Sequence, residues 1–460
     1  MINPDLSEKK VFLSIFILLF ILNYSFLIGI EVGGHLTEDT TWSPENNPYK
    51  VTSVLYVDDD VTLTILPGTE IFITSAFFTN DTVMDDFAFR DNSETEPTAK
   101  MFWVEGNIIA EGTAQDSILF TRMQQDSTHF KWGTIYLSEQ AELSRFKHCR
   151  FEHASRIVIN LTFQPGGAIA VQNSVIVDNC FFIDNYFGIN VYYPVLDVEM
   201  SVTNSFFTID EGTAHGYYGE FIHIHSYDFL PNRIWIANNK FHNRGSSFAN
   251  TVSVVNNKFY GRGLGLSCDP LPNYVYGNYF RNVNTAISAA AYEDEGGIYI
   301  KNNVIEADSN FSGGEIRLNW DGYYEVSGNI GCSGIEGESF SQGKIENNYI
   351  HNASYAGLTG TYGVVQNNII NNCATNSFLL GGSDIYRNNL IINNVNLYST
   401  LSDNAIHENN IYVMNEDNSG WRPDVYGNPT FRNCILDFEL PEECIDGGGN
   451  IWVDSLQAQQ

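Results

Sequence analysis

The sequence predicts an all-β chain wound as a single-stranded right-handed parallel β-helix, a solenoid, and three observations predict it. First, the pattern Φ-x-Asn-Asn-x-Φ (Φ apolar) recurs as Ile236-Ala-Asn-Asn-Lys-Phe241, Val254-Val-Asn-Asn-Lys-Phe259 and Ile300-Lys-Asn-Asn-Val-Ile305. Later copies are Ile345-Glu-Asn-Asn-Tyr-Ile350, Val365-Gln-Asn-Asn-Ile-Ile370, Tyr386-Arg-Asn-Asn-Leu-Ile391 and His407-Glu-Asn-Asn-Ile-Tyr412, and degenerate copies centre on Cys149, Cys180, Ser205, Asn278 and Asn329. The second Asn or its equivalent falls at 149, 180, 205, 239, 257, 278, 303, 329, 348, 368, 389 and 410, so the gaps run from 18 to 34 residues. Repeats of that length stack only on their neighbours. Second, the flanking residues are Val, Ile, Phe and Tyr in short alternating runs, which suit strands, and no stretch of about ten residues carries helical periodicity. Third, a Gly-Φ-x-Φ signature lies upstream of most marks: Gly188-Ile-Asn-Val191, Gly263-Leu-Gly-Leu266, Gly314-Glu-Ile-Arg-Leu318 and Gly357-Leu358.

A coil of roughly two dozen residues holds two or three short strands joined by tight turns. Asn suits such a turn because it tolerates the left-handed backbone region and because its amide pairs with the same amide one coil above. An inward residue such as Ile316 is therefore expected to matter more to stability than an Asn mark such as Asn348.

From the N-terminus, Lys9-Lys10 precede an apolar run from Val11 to Ile30. Residues 1–30 read as an export signal or, uncleaved, an N-terminal membrane anchor, and they are the only expected contact with a membrane. Residues 31–430 are expected to form the β-helix, with a polar insertion near 75–100 that includes Asp85-Asp86 and Glu94; residues 431–460 are expected to close it. The 460 residues carry 23 Lys+Arg against 55 Asp+Glu, a formal charge of −32. That balance lacks the basic footprint of a nucleic-acid binder. Seven cysteines are an odd number. Cys149 and Cys180 occupy consecutive marks and read as buried thiols stacked in the wall, whereas Cys434 and Cys444 are the better disulfide candidates.

The first coils read Gly33-Gly-His-Leu through Val61-Thr-Leu-Thr-Ile-Leu-Pro-Gly68, then Phe102-Trp-Val-Glu-Gly106, Ile118-Leu-Phe-Thr121 and Trp132-Gly-Thr-Ile135. The last segment reads Asn428-Pro-Thr-Phe431, Asp437-Phe-Glu-Leu440 and Cys444-Ile-Asp-Gly447. In this order the motifs resemble secreted bacterial right-handed parallel β-helix repeat proteins of the pectin-lyase-like superfamily, over nearly all of residues 33–450. The resemblance implies a secreted or cell-surface protein. It leaves activity open, since that superfamily holds lyases, hydrolases, adhesins and proteins without activity.

If Φ of Gly-Φ-x-Φ points inward, the intervening residues form outward columns. They read Asn190 and Tyr192, His223 and His225, Gly265 and Ser267, Ser288 and Ala290, then Glu315, Arg317 and Asn319, then Glu336 and Glu338, then Thr359 and Thr361, with one short coil in unclear register. Small residues between imidazoles and an Arg with carboxylates predict a trough two or three coils wide. Tyr217 and Tyr218, in the excursion His215–Glu220, are placed to overhang it, and Trp320, Tyr323 and Tyr324 stand at the far wall. Aromatic rings beside polar groups suit sugars. Asn190, Tyr192, His223, His225, Tyr217 and Tyr218 are thus candidate ligand-binding residues. Glu315, Arg317 and Glu336 are the candidate catalytic set, as a carboxylate pair of glycosidase type or as cross-coil ion pairs. His215, His223 and His225 are weighed as metal ligands, without a proven third ligand. Calcium at Asp58–Asp60 or Glu293–Glu295 is the one cofactor left open, though neither cluster has the spaced ligands of a dedicated loop. The expected function is recognition of extracellular or cell-surface polysaccharide by a monomer; a polysaccharide lyase or glycoside hydrolase, and a structural fibre or adhesin that binds protein, are the alternatives.

Overall fold

The structure, a computed structural model, describes residues 29–77, 101–123, 130–155, 166–192, 198–209, 220–225, 233–249, 252–267, 272–291, 296–308, 313–319, 322–331, 334–337, 342–353, 357–359, 363–373, 378–379, 385–394, 400–401, 405–414, 424–425 and 427–453. Its contacts divide the chain into two units, residues 1–188 with 213–217, and residues 189–212 with 218–460. Each unit is built of parallel strands, and no α-helix occurs among the described residues.

In the second unit the typical coil holds three strands, illustrated by Arg233–Ala237, Lys240–His242 and Ser246–Ala249. Each pairs in parallel with the same strand of the next coil: Ile236 with Val254, Phe241 with Phe259, and Phe248 with Leu266. The coils therefore present three faces, called first, second and third in chain order. Period-2 alternation decides which side chains go inside. In Arg233–Ala237, Ile234 and Ile236 are buried, whereas Arg233 and Trp235 are exposed. The second strands fill the interior with a column of stacked rings: Phe207, Phe241, Phe259 and Phe280 follow one another at 5.0, 4.7 and 4.8 Å. This is a single-stranded parallel β-helix.

The turn between first and second faces divides between two residues the work that the sequence assigned to one. The first residue of each mark takes the left-handed conformation: Asn238, Asn256, Asn302, Asn347, Asn367, Asn388 and Asn409 have φ between 54° and 59°, and Gly277 and Gly328 stand in the same place at 66°. The second residue is buried and builds the ladder. Asn239, Asn257, Asn278, Asn303, Asn329, Asn348, Asn368, Asn389 and Asn410 succeed one another without a break, each at most 3 % exposed. Asn348 is representative. Its Nδ2 donates to Val326 O at 2.9 Å and to Asn368 Oδ1 at 3.0 Å, while its Oδ1 accepts from the backbone N and the Nδ2 of Asn329, both at 3.0 Å. Every polar atom of the amide is used, so the buried side chain leaves no desolvated group unpaired. Four residues after a mark, a second left-handed Asn ends the second strand at Asn243, Asn282, Asn352 and Asn372, and at Asn393 it breaks the register within the strand Leu390–Asn394.

Within the first unit, Ser144–Lys147 pairs in parallel with Val175–Asp178, and Cys149–Glu152 with Phe181–Ile183. Phe120, Phe151 and Phe182 stack inside at 4.9 Å per step. Cys149 and Cys180 take the ladder position as expected: both are buried free thiols, and the Cys149 backbone N donates to Cys180 Sγ at 3.4 Å. Burial holds the Cys149 thiol well above its usual pKa. One antiparallel pair, Ala76–Phe77 with Phe130–Lys131, stands beside the polar insertion, which itself lies outside the described residues apart from its first three positions, 75–77.

The expected Cys434–Cys444 disulfide is not formed, because Cys434 is committed to the ladder. Its backbone N donates to Asn450 Oδ1 at 2.9 Å and its Sγ to His407 O at 3.5 Å, inside the wall, while Cys444 is half-buried elsewhere in the last coil. That last coil continues the solenoid, with Phe431 in register with Asp446 and Leu436 with Trp452. The N-terminal apolar run lies outside the described residues apart from Gly29 and Ile30; Ile30 already begins the first strand, Ile30–Leu36.

Candidate functional site

The third face of the second unit carries the outward column that the sequence pointed to, and its register completes it. Asn190 pairs with His223, His223 with Ser247, Ser247 with Gly265, Gly265 with Ser288, Ser288 with Arg317, and Arg317 with Glu336. The short coil contributes Ser247. It escaped the sequence pattern because Ser246 occupies the inward position where Gly-Φ-x-Φ asks for an apolar residue; Ser246 is buried.

One end of the column is a polar cluster. His223 Nδ1 lies 2.8 Å from Glu220 Oε2 and 3.0 Å from Ser247 Oγ, and Ser247 Oγ also donates to the same Glu220 oxygen. All three groups are half-buried. Serine and carboxylate converge on the same ring nitrogen, so His223 is not interposed between acid and hydroxyl as a nucleophilic triad requires. The cluster instead presents a fixed set of hydrogen-bonding groups. Glu220 is a member that sequence reasoning missed: it precedes the strand Ile222–His225, where two-residue alternation gives no guide.

Gly265 and Ser288 form the middle. A Cβ on Gly265 would touch Ser247 Cβ at 3.6 Å, ordinary contact, so the floor is low because the residue is small and not because the backbone demands glycine. From Ser247 to Arg317 is three strand steps, about 14 Å at the usual spacing of parallel strands. Asn319 donates through Nδ2 to Ser288 Oγ at 3.4 Å and to Ala289 O at 3.3 Å.

The far wall is an ion-paired group. Arg317 Nη2 donates to Glu315 Oε1 at 3.1 Å and to Glu336 Oε2 at 3.4 Å. Glu315 also accepts from Thr285 Oγ1 at 2.7 Å and stands in register with Thr285; it is Arg317 that faces Glu336. The guanidinium thus sits between the two carboxylates that the glycosidase alternative would pair.

The structure moves some candidates and leaves others undescribed. Asn190 is buried, 2 % exposed, with its Oδ1 unpartnered, although alternation made it outward. Tyr324 is buried and not a wall residue: its hydroxyl donates to Asn319 O and accepts from Ala291 N at 2.7 Å. In Tyr323–Ser327 alternation puts Tyr324 and Val326 inside, and Tyr323 faces outward from the first face, not the third. Strand positions hold Tyr192, His225, Ser267 and Thr359, whose side chains lie outside the description; Tyr217, Tyr218, His215, Trp320, Glu338 and Thr361 lie outside the described residues altogether. No group of three His, Cys, Asp or Glu suited to a metal occurs among the described residues. Asp58 Oδ1 lies 2.8 Å from His35 Nδ1, so one carboxylate of the Asp58–Asp60 cluster is engaged. Glu293–Glu295 are not described.

A second concave surface, of 660 Å³, lies on the second face between Leu390, Ile392, Ile411, Val413, Ile435 and Val453. Among the described residues Asn393 is its one polar lining residue, so these lack the convergent groups of the third face. Comparison with protein-family models, with curated proteins and with solved structures yields no match.

Proposed function

We propose that the second unit recognises polysaccharide along its third face, in the trough between the Glu220–His223–Ser247 cluster and the Arg317 wall. The observation that supports this is the cluster itself. Three side chains from two coils and a preceding loop are held in mutual hydrogen bonds beside a floor of Gly265 and Ser288. Hydroxyl-rich chains suit such a site: each sugar hydroxyl both donates and accepts, and a fixed array of carboxylate, imidazole and hydroxyl serves both roles. A chain lying along the solenoid meets one coil per step, so the floor accommodates a short run of sugar units.

The wider reading is of an exported member of the pectin-lyase-like superfamily working at a cell surface, as the motif order at both ends suggests. Catalysis at Glu315 and Glu336 has no comparable support, since Arg317 engages both carboxylates.

The test is to incubate the protein with a panel of neutral and acidic polysaccharides, reading binding together with new reducing or unsaturated ends. Binding without new ends is expected. Ser288→Trp, a half-buried outward position, should abolish binding of the neutral polysaccharides and leave the thermal midpoint close to wild type. Wild-type binding of neutral polysaccharide by that variant would overturn the site. Loss of a cleavage activity in Glu315→Gln or Glu336→Gln would replace recognition by catalysis.

A further inference from the structure

The formal charge of −32 conceals a local reversal. Between Arg233 and Arg281 the chain carries six basic residues, Arg233, Lys240, Arg244, Lys258, Arg262 and Arg281, against one carboxylate, Asp269. The fold gathers the central ones on the second face. Lys240 and Lys258 occupy the same position in consecutive repeats, immediately after the Asn pair, and the register sets them directly opposite on neighbouring strands. Both are exposed, and neither makes an ion pair among the described residues. Like charges placed opposite each other at about 4.8 Å destabilise a sheet. Arg244 and Arg262 follow at the second turn of the same two coils.

Aromatic rings flank the lysines. The outward column reads Phe206, Lys240, Lys258, Tyr279, and beside it run His242, Tyr260 and Arg281. Lys240 Nζ lies 5.3 Å from the Phe206 ring centre and 5.4 Å from that of Tyr260. Among the described residues, the nearest carboxylates in register are two coils beyond Lys258, where Glu306 accepts from Tyr279 at 2.6 Å and Asp308 from Arg281 at 2.9 Å. Further along, the same outward column is Val304, Ile330, Tyr349 and Ile369, without charge, so the paired lysines are particular to these coils and not a rule of the face.

We propose that Lys240 and Lys258, with Tyr260 between flanking aromatics, form a second site that binds an anionic polysaccharide bearing carboxylate or sulfate groups. This goes beyond the trough and does not rest on it. The two ammonium groups repel one another until an anion lies across them, so ligand binding relieves a cost built into the folded sheet. The aromatic surround favours a sugar chain over a bare anion, because rings offer faces and edges to the apolar side of a pyranose. Strand spacing is about the length of one sugar unit, which lets successive acidic groups meet successive coils. The acidic remainder of the chain selects against long, densely charged polyanions, whose ends would run off the patch into repulsion.

The experiment measures binding of the full chain to dextran sulfate, polygalacturonate, neutral dextran and single-stranded DNA, at low and at raised salt. Dextran sulfate or polygalacturonate should bind, more weakly at raised salt, and neutral dextran should not bind at the lysines. Lys240→Glu and Lys258→Glu should each weaken that binding about fivefold, the upper value of one exposed charge contact. Ser288→Trp should leave it unchanged, which separates this site from the trough. Lys258→Gln serves as the control for folding: it should weaken binding while its thermal midpoint equals or exceeds wild type, since one repulsive partner is removed. Wild-type affinity in both charge-reversed variants overturns the proposal, as does a wild-type protein that binds neither acidic polysaccharide. Tighter binding of single-stranded DNA than of either polysaccharide at equal salt overturns the ligand class.

Discussion

The first turn and the third strand of the second unit obey different rules. At the first turn one requirement is met in coil after coil: a left-handed residue followed by a buried Asn, whose amide bonds to the coil before and the coil after. In the third strand the outward residues change from imidazole to serine, glycine, serine and arginine over five coils, and Glu220 joins from outside the strand. The contrast teaches where such a solenoid keeps its freedom. A buried amide ladder tolerates few residues, because each Asn satisfies atoms of two neighbours, and Ser205 and Cys434 stand in it only outside the unbroken run of Asn. An outward column on a strand already held by its backbone tolerates nearly any side chain, and that is where chemistry varies.

The largest effect that can break this comparison comes from removing one rung. Asn348→Ala removes the side-chain partner of Val326 O and of the backbone N of Asn329, both buried, at about 1–3 kcal/mol for each group left unsatisfied, while Asn368 Oδ1 keeps its bond from the backbone N of residue 348. A total of roughly 2–6 kcal/mol is expected. Ile316→Ala, an inward truncation on the third strand at a position 2 % exposed, should cost about 2–5 kcal/mol. The sequence alone ranks Ile316 above Asn348, since only hydrogen bonds and a turn preference are lost at the Asn. Burial of the whole amide raises the rung to at least equal rank. Denaturant midpoints of the two variants decide it, and an Asn348→Ala midpoint close to wild type would mean that the ladder is ornamental.

Much of the architecture was legible because its constraint is strict and repeated. The marks at Asn239 through Asn410 are identical because the same hydrogen bonds recur, and Cys149 and Cys180 were placed correctly from the same spacing. The second-turn residues Asn243, Asn352 and Asn372 are harder to read, though each lies four positions after a mark, because a single Asn there carries less pattern than the Asn pair. On the third face the outward column was largely readable by alternation, but Ser247 was hidden by the inward Ser246, and Asn190 is covered in a way that alternation does not report. Lys240 and Lys258 stood in the quoted motifs throughout. Only the register shows that they face each other, and the net charge of the whole chain concealed them.

A smaller effect separates coils with an apolar interior from one with a buried imidazole. His407 is stacked between Tyr386 at 4.9 Å and Phe431 at 4.2 Å, with its Nδ1 2.9 Å from Tyr412 Oη, and burial pushes its pKa down to about 3 from 6.5. The folded state then holds fewer protons than the unfolded state between those two values, so stability contributed by the neutral ring is complete above about 6.5 and is lost as the pH falls toward 3. Two pH units below the unfolded value the loss is about 2–3 kcal/mol. His407→Phe should remove that part of the acid sensitivity while keeping the stack. Parallel stability-versus-pH curves for variant and wild type would show that the ring is not desolvated as described.

The smallest effect tests the division of labour inside the turn itself. Asn347 contributes a left-handed backbone with φ 58° and an exposed side chain, whereas Asn348 contributes the rung. If the two tasks are separate, Asn347→Gly should lie within about 0.5 kcal/mol of wild type, because glycine enters the left-handed region without a steric cost. The chain already makes this exchange at Gly277 and Gly328, both at 66°. Asn347→Ala should cost roughly 1 kcal/mol, because alanine meets the left-handed steric penalty without the short polar side chain that lets asparagine offset it by local hydrogen bonding. At Gly328 the reverse change, Gly328→Ala, should cost more, because a Cβ there would also run into Asn302 Oδ1 of the preceding coil. Thermal midpoints ordered Asn347→Gly, Asn347→Ala, Gly328→Ala, Asn348→Ala from highest to lowest support the split. An Asn347→Gly variant as damaged as Asn348→Ala would mean that the exposed amides form a second structural ladder, as the 3.3 Å contacts from Asn388 Nδ2 to Asn367 Oδ1 and from Asn409 Nδ2 to Asn388 Oδ1 allow.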